Sequence, residues 1–449
     1  MKTLQKFIFY TIILFLPVQL GKHFWPSWSY VSGLRIDYLS PTLYFTDVLI
    51  IILLVLWVFD IFIQVSKFSI FNFQFSIKQK KFKNLNIKNS FQISNFKLQI
   101  VLFLLVLLFG ILFSKNPMAG FYGLLKLLEF VFLGFVAAKT IKTAQDFKIL
   151  AFIFCMGVLF ESGLAILQFV KQGSIGGIFY FFGERTFTSQ TSGIANASLD
   201  GKLVLRPYAT FPHPNVLAGY LIIAMTTIIF NFQSSIKIKK IYFFTSLLIG
   251  SIALLFTMSR VAIILWFLMV ALFIKNYVIK NSFQIISAAI LVFIGSIFMF
   301  FLSSRFFNIS TMDEAIVRRI ELANTAITMV KDHPVFGVGL YNFLPTLPYY
   351  QKNNTGSLFT LLQPVHNIFF LIVAETGLLG LGMFLWFLLR AVLSIKTRNN
   401  LPLNTCYILL TTILILGLFD HYFLTLQQGQ ILFAVVLSLC FSRNNKDLV

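Results

Sequence analysis

The sequence predicts an all-α polytopic membrane bundle of about twelve transmembrane helices, with a large extracytoplasmic loop that contains an amphipathic helix. Three observations predict it. Of 449 residues, 58% are hydrophobic and only 11% are charged, more apolar surface than a soluble domain can hide. Apolar runs of span length recur along the chain and are continuous, whereas the strands of a β-barrel would alternate apolar and polar residues. The lysines fall in short segments between these runs, the distribution that the positive-inside rule describes. For the same reason the net charge of +21 is not read as a nucleic-acid footprint, and no nucleic-acid partner is expected.

Taken in order, the expected spans are 4–20, 42–66, 98–114, 120–138, 149–170, 215–232, 241–257, 261–274, 283–302, 366–389, 402–419 and 429–442. The first apolar run is followed by no small-residue cleavage site and reads as a retained span. Cys155, Cys406 and Cys440 fall inside expected spans, so no disulfide framework is expected. Residues 67–97 form a basic, low-complexity stretch expected to be a cytoplasmic linker. The pair 241–274 could be one long helix. Lysines at 237–240 and at 275 and 280 flank it, and placing both clusters on one side requires a hairpin with Ser259-Arg260 at its tip.

The loops that share the lysine clusters are almost free of acids, so they are assigned to the cytoplasm together with both termini. The chain is then a single multi-pass domain (1–449) of the plasma membrane. All five histidines, and Arg185, Arg206, Arg260, Arg305, Arg318 and Arg319, land on the extracytoplasmic side. Two long loops lie there, 171–214 and 303–365. The first ends in RPYATFPHPN. The second opens with a helix: Thr311-Met-Asp-Glu314 fits a capping box, Ile316, Ile320, Ala323, Ile327 and Val330 repeat at helical spacing, and Asp332-His333-Pro334 stops it. Such a helix suits the membrane surface or the bundle mouth.

Chemistry is expected around the segment from Asp332 to Gly382, where a polar loop ends at His366-Asn367 and enters an apolar helix. His366 reads either as a titratable base at the mouth of a span or as an interfacial cap. Phe370, Val373, Gly377 and Gly380 follow it on one helical face, and the glycines would let a neighbouring helix approach closely. Glu375 lies nine residues on, about 13 Å deeper and facing away, so it suits a structural hydrogen bond as well as a functional one. Arg206, before three prolines and His213, suits a bidentate phosphate contact or a lipid headgroup. Arg260 at a hairpin tip points to an anionic partner or, again, a headgroup. Arg318 and Arg319 are weaker candidates on the amphipathic helix. Asp420-His421 is a carboxylate–imidazole pair that serves a site or caps a helix. His213 and His333, beside prolines, read as structural, and Glu129 and Glu161 share the reading of Glu375.

No HExxH, Cys/His zinc spacing, Walker loop or GxGxxG is present, and no metal or cofactor is expected. His366-Asn367 followed after nine residues by Gly377-Leu-Leu-Gly380 resembles the His-Asn…Gly-x-x-Gly signature of the O-antigen ligase and polymerase family, with Leu381 where the family usually has Thr or Val. Arg206 with PHPN, Thr257-Met-Ser-Arg260 and Asp332-His-Pro-Val-Phe-Gly-Val-Gly339 also look like family positions, so the resemblance spans roughly 200–425. It implies a metal-independent glycosyltransferase of the cell envelope, one that transfers a glycan from an undecaprenyl-diphosphate-linked donor to a glycan, lipid or protein acceptor outside the plasma membrane. On that reading His366 is the general base, and Arg206 and Arg260 hold the diphosphate. A ligase and a repeat-unit polymerase share these motifs. A lipid-linked oligosaccharide flippase would also bind diphosphate through arginines, but the two related halves common in transporters are not seen.

Overall fold

The computed structural model describes residues 2–75, 87–199, 201–230, 237–276, 314–351, 362–396 and 403–442. The expected span 283–302, Arg305, residues 311–313 of the capping box and the middle of the 67–97 stretch lie outside the described residues. Twelve longer helices are described: α1 (Lys2–Leu14), α2 (Phe45–Phe75), α3 (Ile87–Leu112), α4 (Pro117–Thr140), α5 (Ala144–Lys171), α6 (Pro214–Phe230), α7 (Lys237–Phe256), α8 (Arg260–Asn276), α9 (Glu314–Asp332), α10 (Ile368–Lys396), α11 (Leu403–Gly417) and α12 (Gln427–Phe441). Among the described residues the sheet content is three two-stranded antiparallel pairs: Gly21–His23 (β1) with Thr42–Tyr44 (β4), Tyr30–Val31 (β2) with Leu34–Arg35 (β3), and Asn196–Leu199 (β5) with Lys202–Leu205 (β6).

Among the described residues, four helices, in α2, α4, α5 and α10, are long and apolar enough to cross a membrane by length and composition. Six more apolar helices run only 10–17 residues, so the structure supports a helical membrane protein without fixing twelve spans. The sequence expectation counted apolar residues across breaks. The run at 4–20, for example, stops being helical at Leu14, three residues before Pro17, whose ring lacks the amide a continuing helix needs. The expected hairpin at 241–274 is two helices, α7 and α8, separated by Thr257-Met258-Ser259, with Met258 at φ 52°. The polar stretch 67–97 is helical wherever it is described, as extensions of α2 and α3.

The helix α6 is the hub. Its sequence is apolar on every side, and all residues from Val216 to Phe230 are buried, as a helix without a polar face must be. The helices α5, α7, α8, α11 and α12 pack around it. A polar knot ties α2, α4 and α12 together. The Lys126 ammonium donates to Asp47 Oδ2 at 2.8 Å, Glu129 Oε2 at 3.0 Å and Gln427 Oε1 at 3.3 Å. The Gln427 amide also donates to Asp47 and to Thr46. A buried charge survives only when paired and hydrogen-bonded, and these contacts meet that condition for Lys126.

The helix α10 is broken at Gly377, which has φ 67° and ψ −172°. This is backbone open to glycine and essentially closed to other residues. The freed backbone groups are taken up by the loop that follows α9. Leu378 N donates to Pro334 O at 2.8 Å and Leu379 N to Val335 O at 3.4 Å, while Val338 N and Gly339 N donate to Ala374 O and Glu375 O, both at 2.9 Å. The sequence reading gave Gly377 and Gly380 to close helix packing. Instead Gly377 admits a loop, because a Cβ there would run into the Val335 carbonyl. Glu375 belongs to the same joint: its carboxylate accepts from Phe343 N at 3.3 Å and from the Tyr341 amide.

On α9 the buried stripe is Leu322, Ala326 and Met329, with Ala323 and Val330 at its border. Of the face expected from periodicity, Ala323 and Val330 border the packed stripe, while Ile320 (55%) and Ile327 (41%) are exposed among the described residues.

Candidate active site

One end of the bundle gathers the loops before α2, α4, α6, α8, α10 and α12. Asn116 N donates to Asn342 Oδ1 at 2.7 Å, and Asn116 Nδ2 to Trp28 O at 2.7 Å. The Thr210 hydroxyl is shared between Pro17 O and the buried Glu161 carboxylate. These bonds place distant stretches of sequence on one rim, and the chemistry-bearing residues lie there.

Arg206 is delivered by the β5–β6 hairpin. Its own amide donates to Ala195 O at 3.1 Å, and the next residues are pinned from below. Gln168 Oε1 accepts from Tyr208 N at 3.0 Å and Ala209 N at 2.7 Å. Pro207, Pro212 and Pro214 stiffen what remains free. The side chain is 9% exposed. Its Nε donates to Thr257 O at 2.7 Å and its Nη2 to Asn215 Oδ1 at 2.6 Å. The first bond fastens the turn between α7 and α8, whose next helix begins with Arg260. Arg260 itself is half-buried and makes no hydrogen bond or ion pair with a described residue. The sequence reading placed both arginines at the rim. The structure links them through one turn and fixes only Arg206.

From Arg206 a chain of contacts runs toward His366, polar as far as Asp420 and the His421 amide and then ring to ring. Asn215 Nδ2 donates to Asp420 Oδ2 at 3.0 Å, and Asp420 Oδ1 accepts from His421 N at 2.8 Å. The His421 ring meets that of His366 edge to face, centroids 5.1 Å apart. His421 Nδ1 is 2.7 Å from Thr425 Oγ1. His366 Nδ1 is buried without a hydrogen-bond partner among the described residues. The neighbouring Asn367 is a helix cap: its Oδ1 accepts from Phe369 N at 2.8 Å and Phe370 N at 3.0 Å, and its Nδ2 donates to Leu418 O at 3.1 Å. Asn367 therefore both starts α10 and holds the His366 turn against the Asp420 turn.

Electrostatics set the protonation states. Burial pushes the His366 imidazole below its ordinary range; the Asp420 carboxylate opposes this and the Arg319 guanidinium adds to it. His421 is pushed down to about 3, first by burial, with Asp420 opposing and His366 and Arg319 adding. His213, whose Nδ1 accepts from Asn215 N at 3.1 Å, is likewise lowered to about 3 by burial and the Arg206 charge. Asp420 is held below the carboxylate range against its burial by the surrounding histidines and the Asn215 amide. Burial thus disfavours the charged form of each imidazole, while the imidazoles and Asn215 favour the charged form of Asp420.

Of the sequence-selected residues, His366, Asn367, Arg206, Asp420 and His421 come together. Arg319, exposed on α9, acts on both imidazoles through its charge, and Arg318 is half-buried beside it. Glu375 is committed to the α10 joint. His213 was read as structural and proves part of the cluster. Asn215 was missed, though its place after His213-Pro214 at a helix start offered a signal. Tyr38 was missed as well: its ring lies 5.5 Å from that of His421 and its hydroxyl is pushed above its ordinary range by burial, Asp420 and Asp37. Nothing in the sequence around Tyr38 marks it. Among the described residues, no group of three or more His, Cys, Asp or Glu is arranged to hold a metal.

Residues 245–385 match the family model described as O-antigen ligase. The match runs from within α7 into α10, taking in Arg260, Arg318, Arg319 and His366-Asn367, while Arg206, Asp420 and His421 lie outside it. No curated protein matches the chain. Residues 245–385, about a third of the chain, are thus similar to an O-antigen ligase domain.

Proposed function

We propose that the chain is a metal-independent glycosyltransferase that moves a glycan from an undecaprenyl-diphosphate-linked donor to an acceptor hydroxyl on the extracytoplasmic face of the plasma membrane. The observation that carries the reading is the His366 imidazole, which shares a rim and a chain of contacts through His421, Asp420 and Asn215 with the pinned Arg206 guanidinium. In the transfer, His366 takes the proton of the acceptor hydroxyl. The acceptor oxygen bonds to the anomeric carbon, the carbon–oxygen bond to the phosphate breaks, and the diphosphate leaves with the electron pair. Back-side attack inverts the anomeric centre. Burial favours the neutral form of His366, the form a base requires. Arg206 supplies positive charge already oriented by Thr257 and Asn215, so little reorganisation accompanies charge development on the leaving group. Arg260 reaches the same phosphates from the adjoining turn.

The test is a membrane-vesicle assay with a defined undecaprenyl-diphosphate glycan, scored for transferred glycan and released lipid diphosphate. Transfer should persist in excess EDTA and fail in His366→Ala. Normal transfer by that variant removes His366 from the mechanism. The product assigns the acceptor: conjugates indicate a ligase, and long lipid-linked chains a polymerase.

A further inference from the structure

A cavity lies on the same rim, and its described lining includes no member of the imidazole cluster. It has a volume of about 440 Å³ and is lined by Lys115, Thr328, Asp332, His333, Thr346, Tyr349 and Tyr350. That volume falls in the range of roughly 300–1,000 Å³ typical of small-molecule sites. Its composition is specific. The Tyr349 ring is 58% exposed, and the Lys115 ammonium lies 4.6 Å from its centroid. The Tyr350 hydroxyl is pushed up by burial and by the neighbouring Asp332 carboxylate. Thr346 is only 3% exposed, and its hydroxyl oxygen is buried with no hydrogen-bond partner among the described residues. A buried hydroxyl without a partner is costly, and one at a cavity wall is satisfied by what enters the cavity.

We propose that this cavity binds a neutral sugar unit of the transferred or accepting glycan. An open tyrosine ring offers a flat apolar face to the C–H side of a pyranose. Asp332 accepts sugar hydroxyls, Lys115 and Thr346 donate to them, and among the described lining residues one carboxylate and one ammonium offset each other, which disfavours a charged ligand. The cavity also belongs mechanically to the reaction end. Asp332 and His333 lead into the loop that docks at Gly377, and Tyr350 packs in the same apolar cluster as Val365, the residue before His366. The site would hold a glycan by a unit remote from the reacting carbon, and it rests on the transferase reading for its substrate class.

The test uses the full-length protein in lipid nanodiscs and saturation-transfer NMR with a panel of soluble neutral di- and trisaccharides of hexose and N-acetylhexosamine. Wild type and His366→Ala should both transfer saturation to ring C–H protons of at least one saccharide. Tyr349→Ala and, independently, Lys115→Ala should weaken that binding about tenfold. Both side chains are exposed, so the variants should fold. In the vesicle assay the same variants should raise the half-saturating concentration of glycan substrate about tenfold with kcat within twofold. Unchanged saccharide binding in both variants, or no saccharide bound by wild type, overturns the proposal. Full transfer by His366→Ala would instead overturn the transferase reading and leave the binding result standing.

Discussion

Replacing Gly377 by alanine should undo the joint in α10, and three glycines of the same helix provide an internal scale. At Gly377 the added Cβ meets the Val335 carbonyl and lies 2.6 Å from Phe336 N, both backbone atoms that cannot rotate away. The backbone geometry alone costs an alanine about 1–3 kcal/mol. If the loop lifts off, the four backbone hydrogen bonds between residues 334–339 and 374–379 are lost, at about 1 kcal/mol each. The expected destabilisation is on the order of 3–5 kcal/mol, in the range that needs a specific mechanism. At Gly380 the Cβ meets only the Thr376 side chain, which can swing aside, and at Gly382 it meets nothing within 4 Å. Apparent melting temperatures in detergent, at one scan rate because unfolding of such proteins is often irreversible, should rank Gly382→Ala near wild type, Gly380→Ala slightly lower and Gly377→Ala lower by several degrees. Limited proteolysis should open the 334–339 segment only in Gly377→Ala. Co-melting of Gly377→Ala with Gly382→Ala would refute the joint.

Other expectations concern the rim. His366→Ala should melt with wild type and lose about 10²–10⁴-fold in transfer rate, the usual contribution of a general base. Arg206→Lys keeps the charge but cannot reproduce the fixed fork to Thr257 and Asn215; it should lower both transfer and melting temperature, whereas Arg260→Lys should leave melting unchanged. The base must be neutral, and the folded His366 pKa lies below its ordinary 6.5, so kcat/KM should be lost on acidification only below that pH. Asp420 raises the His366 pKa and Arg319 lowers it; Asp420→Asn should therefore move the acid limb to lower pH and Arg319→Gln to higher pH, both read from pH–rate profiles. Opposite movements would show that another group controls the limb.

The sequence was informative where physics is local. Continuous apolar runs marked the helices; with 283–302 outside the described residues, every other expected span overlaps an apolar helix, although most are too short to count as spans on their own. Asp332-His333-Pro334 ended α9 where expected, and the Ser259-Arg260 break separated α7 from α8. Long-range partners were illegible. Tyr38 is nearly four hundred residues from His421 in the chain, and no spacing rule connects them. His213 carried the same signal as any histidine beside a proline. Periodicity picked one apolar stripe on α9, through Ile320 and Ile327, and overlooked the Leu322, Ala326 and Met329 stripe that packs, because isoleucine looks more hydrophobic than alanine. Gly377 and Gly380 look alike in sequence, and only the loop that docks at one of them separates their roles.

The knot around Lys126 has a consequence for how the protein is made. An ammonium in the middle of a helix resists leaving the translocon for lipid by about 2.5–3.5 kcal/mol. Asp47 on α2, already synthesised, can quench that charge as α4 emerges, so these two helices are favoured to enter the bilayer as a pair. The third partner, Gln427, is separated from Lys126 by 301 residues. Until α12 arrives, the nascent bundle holds an unfinished polar centre at its lipid boundary, a feature by which membrane quality control could tell a stalled chain from a finished one.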